Sequence, residues 1–165
     1  MKKITVVIVL LLASLVLFSC KTAPAGPRLE GEVTQERVNE VLGQIYDRYR
    51  GNLDLTGAQQ HVVVPGDTLS DITRRFYGTL TNVGEAGTNN GFFFPVIMMA
   101  SDSHIVDPDL IEAGMTLTIP DLRRNLDNPG ARRAIKDALI DVAYVYERKG
   151  RQATEAGLIR LSNSL

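Results

Sequence analysis

The chain has no tryptophan, one cysteine and two histidines among 165 residues. A single thiol excludes a disulfide within the chain and a cysteine-built zinc site. The histidines, His61 and His104, are too few and too far apart in sequence for an imidazole metal site or a catalytic triad. Positive charge is not in surplus either: 18 basic side chains face 19 acidic ones. Phosphate binding draws on an excess of lysine and arginine, so nucleic acid is not expected as a partner. No Ser/His/Asp set and no carboxylate pair stands out as catalytic. The expectation is a non-enzyme with no metal and no cofactor, sized for one domain or a small domain with helical extensions.

What is present begins at the N-terminus. Met1-Lys2-Lys3 is positive, and residues 4–18 form an uncharged apolar run. This is the layout of a secretory signal, and the run is short of the about 20 residues a membrane span needs. It ends in Leu17-Phe18-Ser19-Cys20, which resembles the lipobox of bacterial lipoproteins. The resemblance implies cleavage after residue 19 and a diacylglycerol thioether on Cys20, which anchors the protein at a membrane surface of the cell envelope. Lys21, in place of the aspartate associated with inner-membrane retention, favours the periplasmic side of the outer membrane over the inner one. An uncleaved anchor helix with an incidental cysteine is the plainer alternative. Without residues 1–19, which hold two lysines and no acid, 16 basic and 19 acidic side chains remain. Residues 20–32, with Pro24, Gly26 and Pro27, read as the acylated cysteine and a flexible tether.

Residues 33–59 form an N-terminal helix and its connection. Val38, Val41, Leu42, Ile45 and Tyr49 recur at spacings of three and four, with Glu36, Arg37, Glu40, Asp47 and Arg48 mostly opposite. Thr34 is placed to cap the helix and Gly51-Asn52 to stop it. His61-Val62-Val63-Val64 reads as a strand and Pro65-Gly66 as a turn. Thr68-x-x-Asp71 is a helix start, because the hydroxyl satisfies an orphan amide and the acid favours the positive end. Leu69, Ile72 and Phe76 give that helix its apolar face, and Gly78 is its expected C-cap. Residues 79–91, with three glycines and three asparagines, form a loop. Residues 94–100 are a second short helix with Pro95 in its first turn. Residues 115–119 alternate as a half-buried strand, and Pro120 ends it. Asn128-Pro129 starts a C-terminal helix with the stripe Ile135, Leu139, Val142 and Tyr146, closed by Gly150. Leu158, Ile159 and Leu161 suggest a last short helix.

The stretch from His61 to Pro120 resembles the LysM (lysin motif) domain. The resemblance rests on His61-Val62-Val63-Val64-Pro65-Gly66-Asp67-Thr68-Leu69-Ser70-Asp71-Ile72, then Phe76-Tyr77-Gly78, then Phe94-Pro95-Val96-Ile97-Met98-Met99-Ala100-Ser101, and finally Ile105-Val106-Asp107-Pro108-Asp109-Leu110-Ile111-Glu112-Ala113-Gly114-Met115-Thr116-Leu117-Thr118-Ile119-Pro120. It implies an α+β fold, a βααβ LysM module over residues 60–121, flanked by the N-terminal helix and by a C-terminal helical region over 122–165. It also implies binding of N-acetylglucosamine-containing glycans, peptidoglycan or chitin-like chains, in a groove between the loop after the first strand and the loop before the second. Carried over by position, the first loop is Gly66, Asp67, Thr68 and Leu69, and the second is Asp107, Pro108, Leu110 and Ile111. Phe94 stands where the family often has tryptophan. Ser101 stands where it usually has asparagine, which would weaken a side-chain hydrogen bond. The 79–91 loop is longer than usual.

Plainer roles stand beside these. Asp67 also suits a turn and cap, Leu110 and Ile111 also suit the core, Met98-Met99 suits core filling, and Asp102, Asp107 and Asp109 suit solvated caps. The functional expectation is a membrane-anchored lipoprotein that binds peptidoglycan through a single LysM module. The alternative is an envelope assembly lipoprotein that docks a protein partner through its flanking helices, with the module as scaffold.

Overall fold

A computed structural model describes residues 26–78, 90–101 and 106–165. The apolar run 4–18, Cys20, Lys21, Pro24, most of the 79–91 loop, Asp102 and His104 lie outside the described residues.

The first helix, α1 (Gln35–Arg50), is capped by Thr34, whose hydroxyl accepts from the Arg37 amide at 3.3 Å. Glu36 in its first turn and Arg48 and Arg50 in its last match the helix dipole. Its expected stripe is buried, with Tyr46 added to it.

Strand β1 (Gln59–Val62) pairs antiparallel with β2 (Thr116–Ile119), placing His61 opposite Leu117 and Gln59 opposite Ile119. The expected strand at 61–64 thus begins two residues earlier. Gln59 and Gln60, on opposite faces of the strand, are both exposed and polar, so they carry no apolar pattern. Gln60 there donates to the Thr118 hydroxyl across the pair at 3.2 Å. Val63 is buried beyond the strand end and keeps two backbone bonds to the returning chain, at Gly114 and Met115, while Val62 and Val64 are exposed.

Between the strands run α2 (Leu69–Tyr77), a 3₁₀ turn (Asn90–Phe93) and α3 (Phe94–Ala100), which gives the βααβ order. Gly78 caps α2 in the right-handed region. Ser101 donates to the Ile97 carbonyl at 2.7 Å and accepts from the Thr118 amide at 3.0 Å. Ser101 thus ties the end of α3 to β2.

Helix α3 is the shared centre. It touches β2 and α2 within the module, and α1 and α5 (Pro129–Arg148) outside it. Residues from Phe94 to Met99 are buried all round, as a helix enclosed on every side requires. Met98 and Met99, 1% exposed each, fill that core. Asn128 caps α5 by accepting from the Gly130 and Ala131 amides at 2.9 and 3.2 Å. The stripe Ile135, Leu139, Val142 and Tyr146 is buried, each aliphatic member contributing about 1.5–3 kcal/mol. The C-terminal helical region opens with a short helix, α4 (Leu122–Asp127), capped by Asp121. Asn125 on α4 is buried and exchanges hydrogen bonds with the Asp54 backbone, amide and carbonyl, at 2.8 and 2.9 Å. It thereby joins the two connections that leave the module.

Helix α6 (Gln152–Asn163) folds back on α5 and on the 3₁₀ turn. The ring of Phe92 occupies the place where a Cβ on Gly157 would stand. Before α1, Leu29 is buried, Arg28 stacks over the Tyr144 ring at 3.9 Å, and Arg148 donates to the Gly31 carbonyl at 2.7 Å. The segment expected to be flexible up to residue 32 is thus packed on α5 from about Arg28 onward. No helix among the described residues is long and apolar enough to cross a membrane.

Candidate functional site: a groove with three walls

The first wall is the loop after β1. The Asp67 amide donates to the Val64 carbonyl at 3.0 Å, closing a turn with Pro65 and Gly66 in its middle. Gly66 has φ of 90°, the left-handed value that the third position of a type II turn requires. The Asp67 carboxylate faces inward and is 6% exposed. One oxygen, Oδ2, lies 2.9 Å from His61 Nε2 and accepts from the Val64 amide at 3.2 Å; the other accepts from Arg75 at 3.1 Å. His61, first among these donors, and then the Val64 amide hold the Asp67 carboxyl below its ordinary range. Desolvation opposes them and Arg75 adds a smaller pull. The His61 ring meets the edge of Phe76 with centroids 5.7 Å apart, so strand, loop and α2 are clamped together.

Thr68 begins α2. Its hydroxyl donates to Asp71 Oδ2 at 2.6 Å and accepts from the Asp71 amide at 3.2 Å. The Leu69 and Ser70 amides belong to the first turn of α2, where no preceding turn offers a carbonyl.

The second wall is the loop before β2. The Leu110 amide donates to the Asp107 carbonyl at 3.0 Å, and the Asp109 amide to Asp107 Oδ1 at 2.9 Å. Asp107 is buried, in contrast to the solvated cap expected of it: Gln35 from α1 reaches its Oδ2 at 2.7 Å and Lys149 lies 3.2 Å away. Lys149 also meets Asp109 at 2.7 Å, and the Tyr146 hydroxyl donates to the other oxygen of Asp109 at 3.1 Å. Burial first, then the nearby Asp109 carboxylate, raises the Tyr146 pKa far above its ordinary value, so the phenol remains a donor.

Between these loops lies a groove of about 380 Å³, a size within the roughly 300–1,000 Å³ of small-ligand sites. Asp67, Thr68, Leu69 and Ser70 line one side, and Pro108, Asp109 and Ile111 the other. Phe94 and Tyr146, packed edge to face at 5.8 Å, contribute aromatic surface to it. Arg151 and Thr154, at the start of α6, form a third wall.

Of the residues expected at the site, Asp67, Thr68, Leu69, Pro108 and Ile111 lie on the groove. Gly66, Asp107 and Leu110 do not line it: Gly66 shapes the turn, Asp107 is drawn into the core by Lys149 and Gln35, and Leu110 is 52% exposed. Its exposure also overturns the core role weighed for Leu110. Ser70, Asp109, Tyr146, Arg151 and Thr154 were not expected there. Tyr146 carried only the signal of a core stripe, and nothing in the sequence brings α6 to the first loop. Among the described residues, no three His, Cys, Asp or Glu side chains cluster so as to hold a metal ion.

Two antiparallel strands with two helices on one face, and an open groove between the loops at one end, define a small binding module. Residues 61–88 match the family model of the LysM domain. The match covers the end of β1, the first loop and α2, and LysM domains in general bind N-acetylglucosamine-containing glycans. No curated protein and no solved structure matches the chain.

Proposed function

We propose that the protein is a lipid-anchored component of the bacterial cell envelope that holds peptidoglycan glycan strands in the groove of its LysM module and has no catalytic activity of its own. The observation that carries this reading is the groove itself, which lies between the two loops where the LysM family binds its glycans. The Leu69 and Ser70 amides suit an N-acetyl carbonyl. The Thr68 hydroxyl, already donating to Asp71, keeps a lone pair for a sugar hydroxyl. Leu69, Ile111 and Phe94 offer apolar surface to the flat faces of the sugar ring. The anchor rests on Leu17-Phe18-Ser19-Cys20. The apolar stripes of α1 and α5 are buried against the module and each other. They therefore lend no support to docking a partner through those faces.

The test is sedimentation of the protein, produced without residues 1–20, with insoluble peptidoglycan, together with titration by soluble N-acetylglucosamine oligomers. One shallow groove is expected to bind at roughly micromolar to millimolar Kd, about −4 to −8 kcal/mol. Anchoring opposite a polymeric wall makes such weak sites sufficient. Chemical shifts should move at residues 67–70 and 108–111. Absence of both sedimentation and shift changes at millimolar ligand overturns the reading.

A further inference from the structure

The third wall gives the groove a chemistry that a neutral amino sugar does not use. Gly150, with φ of 72°, turns the chain out of α5. The Arg151 amide then donates to the Tyr146 carbonyl at 2.9 Å, and the Arg151 carbonyl accepts from the Thr154 and Glu155 amides. The backbone of Arg151 is therefore fixed beside the groove while its side chain is exposed.

The other charged side chains at the groove have partners within the chain, although Asp107 and Asp109 share one ammonium, that of Lys149. Asp67 is matched by Arg75 and His61, and Asp109 by Lys149 and Tyr146. Lys149 is taken up by Asp107 as well. Arg151 is the cation on the groove lining, and among the described residues no carboxylate pairs with it. A guanidinium presents a planar fork of donors that matches a carboxylate with two parallel hydrogen bonds. Neither hydroxyls nor an acetamide offers it that match.

We propose that Arg151 makes the α6 end of the groove a subsite for a carboxylate carried next to the N-acetylated sugar held by the LysM loops. This rests on the glycan-binding reading above and narrows its ligand to an acidic amino-sugar polymer. In peptidoglycan the carboxylate has two sources, the lactyl ether of muramic acid and the attached peptide. Thr154, on the same wall, supplies a hydroxyl beside the fork.

Three probes separate the possibilities: a neutral N-acetylglucosamine oligomer, a peptide-free muramic-acid glycan with free lactyl carboxylates, and a peptide-bearing glycan whose lactyl carboxyl is blocked as an amide. Each is titrated calorimetrically against the protein and Arg151→Gln, at low and high salt. At low salt the protein should bind at least one acidic probe roughly twofold to fivefold more tightly than the neutral one, the range of a solvent-exposed ion pair. Salt should shrink that ratio and Arg151→Gln should bring it to one. The probe that carries the preference identifies the source of the carboxylate. Equal binding of all three, or a preference that survives Arg151→Gln, overturns the subsite and leaves the glycan-binding reading standing. Failure of all three to bind removes that reading and the subsite with it. Arg151 is exposed, so an unchanged Tm verifies that the variant is folded.

Discussion

The ammonium of Lys149 lies 2.7 Å from the carboxylate of Asp109, which precedes it by 40 positions. It is also 3.2 Å from Asp107 and 4.9 Å from the centre of the Tyr146 ring. One side chain at the end of α5 thus fixes the second loop of the LysM groove. The C-terminal helices are a structural part of that wall as well as a brace for α3.

Lys149→Met should therefore act at two levels. Asp107, with 2% side-chain exposure, would be left as a buried carboxylate without its cation, a loss of about 3 kcal/mol in chemical denaturation. Glycan affinity should fall as well, because Pro108 and Asp109 lose their tie. The double variant Lys149→Met/Asp107→Asn should be more stable than the sum of the two single losses allows, by about 1 kcal/mol or more. Strict additivity would show that the pair is not coupled.

Two tyrosines three positions apart should respond oppositely to loss of a hydroxyl. Tyr49 donates to the buried Asp141 carboxylate at 2.7 Å, so Tyr49→Phe should cost about 1–3 kcal/mol. The Tyr46 hydroxyl is buried with no hydrogen-bond partner among the described residues. Tyr46→Phe should be neutral or stabilising, by up to about 1 kcal/mol. Burial, ahead of the neighbouring carboxylates, raises both phenol pKa values, so the contrast should hold across the neutral pH range.

Gly157 sits inside α6, where alanine would ordinarily be favoured by about 1 kcal/mol. The Phe92 ring fills the space its Cβ needs, so Gly157→Ala should instead destabilise by about 1–3 kcal/mol. Introducing Phe92→Ala beside it should return part of that loss. A thermal melt of the four proteins measures the effect, and a more stable Gly157→Ala would show that the ring yields freely.

Local chemistry was legible in the sequence, and long-range packing was not. The Thr68-x-x-Asp71 start, the Asn128 cap and the stripe from Ile135 to Tyr146 each depend on neighbours within a few positions, so their patterns survive in one dimension. The polar start of β1 at Gln59 and Gln60 shows no hydrophobic alternation, because both side chains are exposed although they point to opposite faces of the sheet, so the sequence pattern places the strand two residues late. In six-residue α4 the Leu122 and Leu126 spacing is too brief to separate helix from loop. Asp107 looked like any aspartate before a proline. Its burial depends on Gln35 and Lys149, 72 positions before it and 42 after it. Arg151 reached the groove by the same kind of dependence, through the fold of α6 onto α5.

The anchor is testable apart from the groove. If Cys20 carries a diacylglycerol, each buried methylene contributes about 0.8 kcal/mol, and two or more chains hold the protein on a bilayer. Cys20→Ala should leave an unprocessed precursor without incorporated label when cells are fed radioactive palmitate. Label on the Cys20→Ala protein would remove the lipoprotein assignment without touching the glycan site.

The pH response of the first loop follows from Asp67. His61, the Val64 amide and Arg75 all favour the ionised carboxyl and depress its pKa in the folded chain. A group with a depressed folded pKa stabilises the fold above its unfolded pKa, about 3.9 for aspartate. That contribution disappears as pH falls through the lower, folded value. The turn at residues 64–67 should accordingly be intact at pH 5 and loosen only in the acid range below about pH 4. The Val64 amide resonance, whose hydrogen bond ends on the titrating oxygen, is the probe. Its midpoint should lie below that of an unperturbed aspartate, and the step should be absent in Asp67→Asn. A midpoint at or above the ordinary value would mean that the donors around Asp67 do not hold its charge, and that the first wall of the groove is less rigid than its hydrogen bonds require.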